Sequence, residues 1–276
     1  MGKMYLCSMF YGRRGAVIHA MSGIDIALWD IVGKAQNKPI YKLLGGTQRE
    51  RVRAYGSTLM PYTKEDAAQE ALKWKEQGFT AVKMGWGGFE LPFRDCVGLV
   101  ESAHKAIGDD MDLMLDVGFI PSPDQPTDAA SRLLLANELR QYSPYWLEEL
   151  VSPDDYDGYR LLSKSIDTRI AGGENESTRY GFKQLIEYSD IYWCCSALVY
   201  SSYRTFRKAA FLYPRDRHLL LVLDSRCLLH RLLYLYRLRQ APEIEKVLRK
   251  KLKIFCCPQN LLKMKMAAAL IVKAAA

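Results

Sequence analysis

The stretch Leu113-Met114-Leu115-Asp116 is the first of three short apolar runs that each end in an acidic residue. The other two runs are Tyr145-Trp146-Leu147 before Glu148 and Arg169-Ile170-Ala171-Gly172-Gly173 before Glu174. Each run is too short for a helix and lies between stretches of helical periodicity, which is typical of a buried strand. The sequence therefore predicts three carboxylates, each at the C-terminal end of a strand.

Carboxylates that follow parallel strands lie on one rim of the sheet, where the loops vary while the strands stay packed. Three carboxylates on one rim repel one another unless a cation lies between them. Ligation by oxygen alone suits Mg²⁺ or Mn²⁺ better than Zn²⁺. We therefore predict a Mg²⁺ site, able to take Mn²⁺, at Asp116, Glu148 and Glu174. The alternative is that each residue is an ordinary strand-end acid paired with Lys or Arg.

Strands and helices alternate along the middle of the chain. After a first strand at 52–58, further strands are predicted to start near Thr80, Asp112, Tyr145, Thr168 and Asp190. Helical patterns cover 16–36, 64–77, 92–107, 127–141, 153–165 and 178–188. A closed (β/α)₈ barrel needs eight βα units, and five or six are visible. The predicted fold class is therefore α/β, an incomplete TIM-type (β/α) barrel.

The composition of the chain changes near residue 190. Residues 1–190 carry 22 Lys and Arg against 27 Asp and Glu, a net charge of −5, whereas 191–276 carry 17 against 4, a net of +13. All 19 glycines lie in the first part. We divide the chain into 1–50, a partial barrel at 51–190, and a divergent basic tail at 191–276, largely helical or disordered. The abrupt change favours an altered reading frame, a misassigned exon or a gene-model artefact as the origin of the tail over a real adaptation.

Several classes of protein are not supported by the sequence. The cysteines form no C-x-x-C pair, so neither a zinc ribbon nor a disulfide framework is expected. Charged residues interrupt the apolar run at 219–236, and two arginines lie in the middle of residues 1–22. We therefore expect no membrane span and no signal peptide, and a cytoplasmic location.

A second motif lies within the predicted helix at 16–36. It reads Ala20-Met21-Ser22-Gly23-Ile24-Asp25-Ile26-Ala27-Leu28-Trp29-Asp30-Ile31, then Gly33-Lys34-Ala35, and later Leu43-Leu44-Gly45-Gly46. This pattern resembles the signature of the mandelate racemase/muconate lactonizing branch of the enolase superfamily. The resemblance covers roughly residues 10–190. It implies that 1–50 are the last helices of an α+β capping domain that precedes a TIM-type barrel.

Members of that superfamily remove the proton next to a carboxylate and stabilise the resulting enediolate on magnesium. The resemblance implies metal ligands at Asp116, Glu148 and Glu174, the residues that the strand-end pattern also selects. It further implies a catalytic role for Lys83, the first lysine of the family's Lys-x-Lys, although Gly85 stands at the second position, the base on one face of the substrate. Lys83 would orient the substrate carboxylate or lower a neighbour's pKa; the alternative is that it pairs with Asp116.

The family's base on the opposite face, a histidine on the seventh strand, is not assigned in this sequence. His19 and His104 fall on predicted helices, and His218 and His230 fall in the tail. The residues that bind substrate are also unassigned.

Two further stretches, 150–159 and 176–182, resemble sugar-acid dehydratases such as the L-rhamnonate dehydratases. The resemblance implies a magnesium-dependent hydro-lyase that acts on a small sugar acid, with impaired activity in this chain. One alternative is a racemase of the same superfamily. Another is an inactive fragment whose basic tail binds an acidic partner. A homo-oligomer is compatible with these interpretations, and no nucleic-acid partner is expected.

Overall fold

The computed structural model describes residues 2–46, 53–121, 123–124, 126–189 and 193–194. The helices are α1 (Gly2–Ser8), α2 (Ala16–Ala35), α3 (Ile40–Leu43), α4 (Lys64–Glu76), α5 (Phe93–Ile107), α6 (Ala129–Leu139), α7 (Tyr156–Ser165) and α8 (Arg179–Ser189). The strands are β1 (Gly56–Leu59), β2 (Ala81–Gly85), β3 (Asp112–Asp116), β4 (Trp146–Glu148), β5 (Ile170–Gly172) and β6 (Trp193–Cys194). Short 3₁₀ turns cover Gly87–Glu90 and Arg140–Tyr142.

The six strands form one parallel sheet in the order β1-β2-β3-β4-β5-β6. Each strand is joined to the next through at least one helix, as parallel neighbours require. Over the described residues the sheet is open, because β1 and β6 are its two edges. The predicted α/β class and incomplete barrel are therefore confirmed.

The two faces of the sheet are buried in different surroundings, because successive residues of a strand point to opposite sides. One face packs against the helices and includes Val82, Met84, Leu113, Leu115, Leu147 and Ile170. The other face carries a smaller apolar cluster of Ala81, Met114, Trp146 and Ala171, with Tyr55 and Tyr145 against it. Two residues further along β2, β3 and β4, this inner face carries charged side chains instead.

The first strand starts later than predicted. β1 begins at Gly56, and residues 53–55 have no regular structure. The guanidinium of Arg53 accounts for this, since it donates to the hydroxyl of Thr80 at 2.8 Å and to its carbonyl at 2.7 Å. It also bonds the carboxylate of Asp112 at 2.5 Å. Arg53 thus ties the chain across the starts of β2 and β3 before pairing begins.

The other boundaries follow the predicted repeat within three residues, including helix α2, which carries His19, and α5, which carries His104. The predicted domain division at 1–50, 51–190 and 191–276 stays a prediction. The tail, with the exception of residues 193–194, lies outside the residues that the structure describes.

Helix α2 is the one helix of the described segments whose length and composition would suffice to cross a membrane. Buried helices of water-soluble domains meet the same criterion. Here α2 buries Ile18, Met21, Ser22 and Asp25 inside the protein, and the hydroxyl of Ser22 donates to the carbonyl of Ile18 at 2.8 Å.

Helix α4 begins with Thr63 as its N-cap. The hydroxyl of Thr63 accepts a hydrogen bond from the backbone N–H of Asp66 at 3.1 Å, which satisfies one of the free amides of the first turn. We expect Thr63→Ala to lower the free energy of unfolding by about 1 kcal/mol. Thr63→Ser, which keeps the acceptor, is the control and should lose much less in urea denaturation. Equal losses for the two variants would contradict the assignment.

Candidate metal centre

Two of the predicted ligands stand side by side at the ends of adjacent strands. Asp116, the last residue of β3, is in register with Glu148, the last residue of β4. The N–H of Val117 donates to the carbonyl of Glu148 at 2.9 Å and extends the pairing past the strand ends. The backbone therefore fixes both carboxylates on the same rim.

Lys83 of β2 lies between these carboxylates. Its Nζ is 2.7 Å from Oδ2 of Asp116 and 3.0 Å from Oε2 of Glu148. The three side chains are 15%, 5% and 2% exposed, respectively. The indole N–H of Trp146 also donates to Oε2 of Glu148, at 3.1 Å. The pairing of Lys83 with Asp116, which the sequence left open, is thus present. The catalytic role of Lys83 stays a prediction.

Burial has a clear electrostatic effect on Asp116. Burial first, and then the nearby charge of Glu148, raise the pKa of Asp116 to about 7, although Lys83 acts in the opposite direction. Its other oxygen, Oδ1, is buried and has no hydrogen-bond partner among the described residues. A buried acceptor without a donor, next to a second carboxylate, is a fitting ligand for a hard cation such as Mg²⁺.

Glu174, the third predicted ligand, lies two residues beyond the end of β5. Burial and the neighbouring Glu148 raise the pKa of Glu174, so the third carboxylate is electrostatically linked to the second. Across the segments that the structure describes, no three His, Cys, Asp or Glu side chains are grouped closely enough to hold a metal ion. The three-ligand metal site therefore stays a prediction. The structure brings two of its members, Asp116 and Glu148, together around the ammonium group of Lys83.

The structure gives a steric reason why a glycine stands at position 85. A Cβ at Gly85 would lie 2.4 Å from Cβ of Asp116 and 2.5 Å from its backbone oxygen. Both distances are shorter than any ordinary contact, and one of them is to backbone, which cannot rotate away. The second lysine of the family pattern therefore has no room in this arrangement of β2 and β3.

Two groups of site residues were missed by the sequence reasoning. The first is Glu149, which follows Glu148 and is fully buried. Its carboxylate accepts hydrogen bonds from the Tyr159 hydroxyl at 2.8 Å and from the amide of Gly173 at 2.7 Å. Burial raises the pKa of Glu149 to about 7, against the lowering effect of those two donors. Two consecutive glutamates were the available signal, but the sequence does not show which way each points.

The second missed group joins the N-terminal helices to the rim. Arg14, just before α2, lies 3.4 Å from the carboxylate of Asp154 in the loop after β4. In the same region the hydroxyl of Tyr156 donates to Oε1 of Glu176 at 3.0 Å. Burial and the charge of Glu176 raise the pKa of Tyr156 to about 12. The predicted capping segment therefore contacts the loop that follows β4.

Comparison with known families covers more than half of the chain. Residues 4–45 match the mandelate racemase/muconate lactonizing enzyme N-terminal domain, and residues 66–195 match the enolase C-terminal domain-like family. The first match includes the whole of α2.

A protein of Caldivirga maquilingensis that bears the provisional name L-rhamnonate dehydratase is 37% identical over 191 residues, 67% of this chain and 44% of that protein. Two solved structures are also similar. The 3,6-anhydro-D-galactonate cycloisomerase of Zobellia galactanivorans is 35% identical with a TM-score of 0.69, over 76% of this chain and 57% of that one. A racemase of Streptomyces coelicolor with bound magnesium is 28% identical with a TM-score of 0.68, over 76% and 61%.

This chain spans less than two thirds of the length of each of these proteins. The matched residues nevertheless include parts of both domains of the family, and the described sheet has six parallel strands. The chain belongs to the mandelate racemase/muconate lactonizing branch of the enolase superfamily.

Proposed function

We propose that this protein derives from a magnesium-dependent sugar-acid dehydratase and retains the part of the site that holds the metal. The observation that carries the proposal is the convergence of Asp116 and Glu148 on one ammonium group at the rim of a parallel sheet. The similarity to the Caldivirga protein supports dehydration of a sugar acid over other reactions of the superfamily.

In such a reaction a base removes the proton α to the substrate carboxylate, and the β-hydroxyl leaves as water. The enol that remains becomes a 2-keto-3-deoxy acid by tautomerisation, so atoms balance without an added reactant. In this proposal Asp116, Glu148 and Glu174 would hold Mg²⁺. The bound ion would supply a Lewis acid that neutralises charge developing on the substrate carboxylate.

Lys83 contributes positive charge at the same place. It is mostly buried and bonded to two carboxylates, which hold its position and favour its charged form. We assign it the role of orienting the substrate carboxylate beside the metal ligands. A protonated, doubly paired ammonium is poorly suited to accept a proton, so we do not assign it as the base.

Neither described histidine lies on a strand of the sheet, because His19 is on α2 and His104 is on α5. Gly85 leaves no lysine at the end of β2. We therefore propose that dehydration by this chain is impaired even where metal binding is retained. The small sugar acid remains the proposed substrate, the cytoplasm the proposed location, and a homo-oligomer compatible with both.

Replacing Lys83 tests the charge balance of the site. We expect Lys83→Met to lower the free energy of unfolding of the metal-free protein by about 3 kcal/mol, because two buried carboxylates lose their shared partner. Added Mg²⁺ or Mn²⁺ should recover much of that loss by supplying the missing positive charge. Urea denaturation with and without the ion measures both effects.

Lys73→Met is the control for Lys83→Met, since Lys73 forms a solvent-exposed pair with Glu70 on α4. Its removal should have little effect on stability, and divalent ions should not alter that effect. If Lys83→Met were as stable as the unaltered protein, the buried ion pairs would not have the importance that we give them.

Binding of Mn²⁺, followed by electron paramagnetic resonance, tests the metal ligands directly. We expect one site in the unaltered chain and at least a hundredfold weaker binding in the Asp116→Asn, Glu148→Gln double variant. Asp112→Asn is the control, because Asp112 starts the same strand at the opposite end and pairs with Arg53. Equal affinity of the double variant and the unaltered protein would overturn the proposed metal site.

A substrate test separates dehydration from racemisation. The chain is incubated with a panel of sugar acids in D₂O, and both 2-keto-3-deoxy acid and α-deuterium incorporation are followed. We expect slow keto-acid formation from an aldonate such as L-rhamnonate, abolished in the Asp116→Asn, Glu148→Gln variant. Deuterium incorporation without loss of water would favour a racemase. If neither product forms with any sugar acid, the chain has no dehydratase activity and the proposal reduces to metal binding.

A further inference from the structure

The paired glutamates at the end of β4 point in different directions. Glu148 ends the strand and directs its carboxylate to Lys83 on the inner face. Glu149 has a φ of 51°, a left-handed conformation that side-chain-bearing residues rarely adopt. The carboxylate of Glu149 is buried towards α7, away from the inner face.

The buried carboxylate of Glu149 holds the backbone that leads to the third predicted ligand. Its Oε1 accepts from the amide of Gly173 at 2.7 Å and from the amide of Glu174 at 3.3 Å. Its Oε2 accepts from the hydroxyl of Tyr159 at 2.8 Å. Both amides belong to the turn that follows β5.

Tyr159 of α7 packs against the end of β5 next to Glu149. Its ring and hydroxyl lie so close to Gly172 that a Cβ there would be 2.9 Å from the hydroxyl oxygen. Tyr159 is itself fully buried. The backbone N–H of Glu149 donates to the carbonyl of Ala171 in β5 at 3.0 Å. Glu149 is therefore bonded to the last residues of β5 through both backbone and side chain.

We propose that Glu149 is a positioning residue for Glu174. It holds the amides of Gly173 and Glu174, and so sets the direction in which the Glu174 carboxylate leaves the backbone. Of the two consecutive glutamates, Glu148 would then be a metal ligand itself, and Glu149 would orient another ligand, Glu174. This inference deepens the proposed function. The role of Glu174 as a metal ligand rests on that function, whereas the hydrogen bonds from Glu149 to the two amides do not depend on it.

The alternative is that Glu149 only stabilises the packing of α7 on β5. In that case its loss would lower stability without a specific effect on Glu174. The two roles differ in how they combine with a change at Glu174 itself, which a double-mutant cycle measures.

The first experiment measures Mn²⁺ affinity in the full-length chain with Glu149→Leu, alone and combined with Glu174→Gln. We expect Glu149→Leu to weaken Mn²⁺ binding about tenfold to a hundredfold, as loss of a group that orients a ligand does. In the Glu174→Gln background the same change should weaken Mn²⁺ binding by less than about twofold. An equal cost in both backgrounds, or no cost in either, would overturn the proposal.

Two further variants keep the test valid if Glu149→Leu folds poorly. Glu149→Gln retains an oxygen for the amides of Gly173 and Glu174, and should keep Mn²⁺ affinity within about threefold. Tyr159→Phe removes one donor to Glu149 but leaves both amide contacts, and should behave likewise. If Glu149→Gln binds Mn²⁺ as weakly as Glu174→Gln does, the contact with the amides is not what matters and the proposal fails.

Hydrogen exchange of the backbone amides in the metal-free protein gives a readout that does not need a metal. The amides of Gly173 and Glu174 should exchange slowly in the unaltered chain and in Tyr159→Phe, and at least tenfold faster in Glu149→Leu. Unchanged exchange would overturn the positioning role. If the unaltered chain binds no Mn²⁺, the proposed function fails, and the exchange rates still decide whether Glu149 holds these amides.

Discussion

The arrangement of this site depends on the pairing of two buried carboxylates with one buried lysine. The register of β3 and β4 places Asp116 and Glu148 next to each other, and removing both from water without a positive charge between them would be very costly. Lys83 extends from β2 to a position between the two carboxylates, so its two ion pairs join three neighbouring strands. The strands cannot shift register without separating those charges.

Beneath these ion pairs the inner face of the sheet is apolar and tightly filled. Trp146 links the two layers, because its ring packs edge-on against Tyr55 while its N–H bonds the carboxylate of Glu148. The apolar layer excludes water from below the carboxylates, which strengthens their interaction with any cation above them. The sheet itself separates this layer from the larger core, which lies between the other face and the helices.

The sequence predicted the strands and the rim because each rests on a local pattern. An apolar run followed by an acid places Asp116, Glu148 and the neighbourhood of Glu174 without knowledge of the tertiary structure. The role of Glu149 could not be predicted in this way, since it depends on a left-handed residue and on partners ten and 24 positions away. The late start of β1 escaped prediction for the same reason, because Arg53 bonds residues 27 and 59 positions further on.

The close approach of Gly85 to Asp116 also limits the stereochemistry open to this scaffold. A racemase must take a proton from one face of its substrate and return one to the other, so it needs two groups on opposite sides. Elimination of water can proceed with a single group. A side chain at position 85 would require β2 and β3 to separate and would break the hydrogen bond from the amide of Trp86 to the carbonyl of Asp116, 2.8 Å. With no room for a lysine at position 85, racemisation would lack a group on that face, which the proposed elimination would not need.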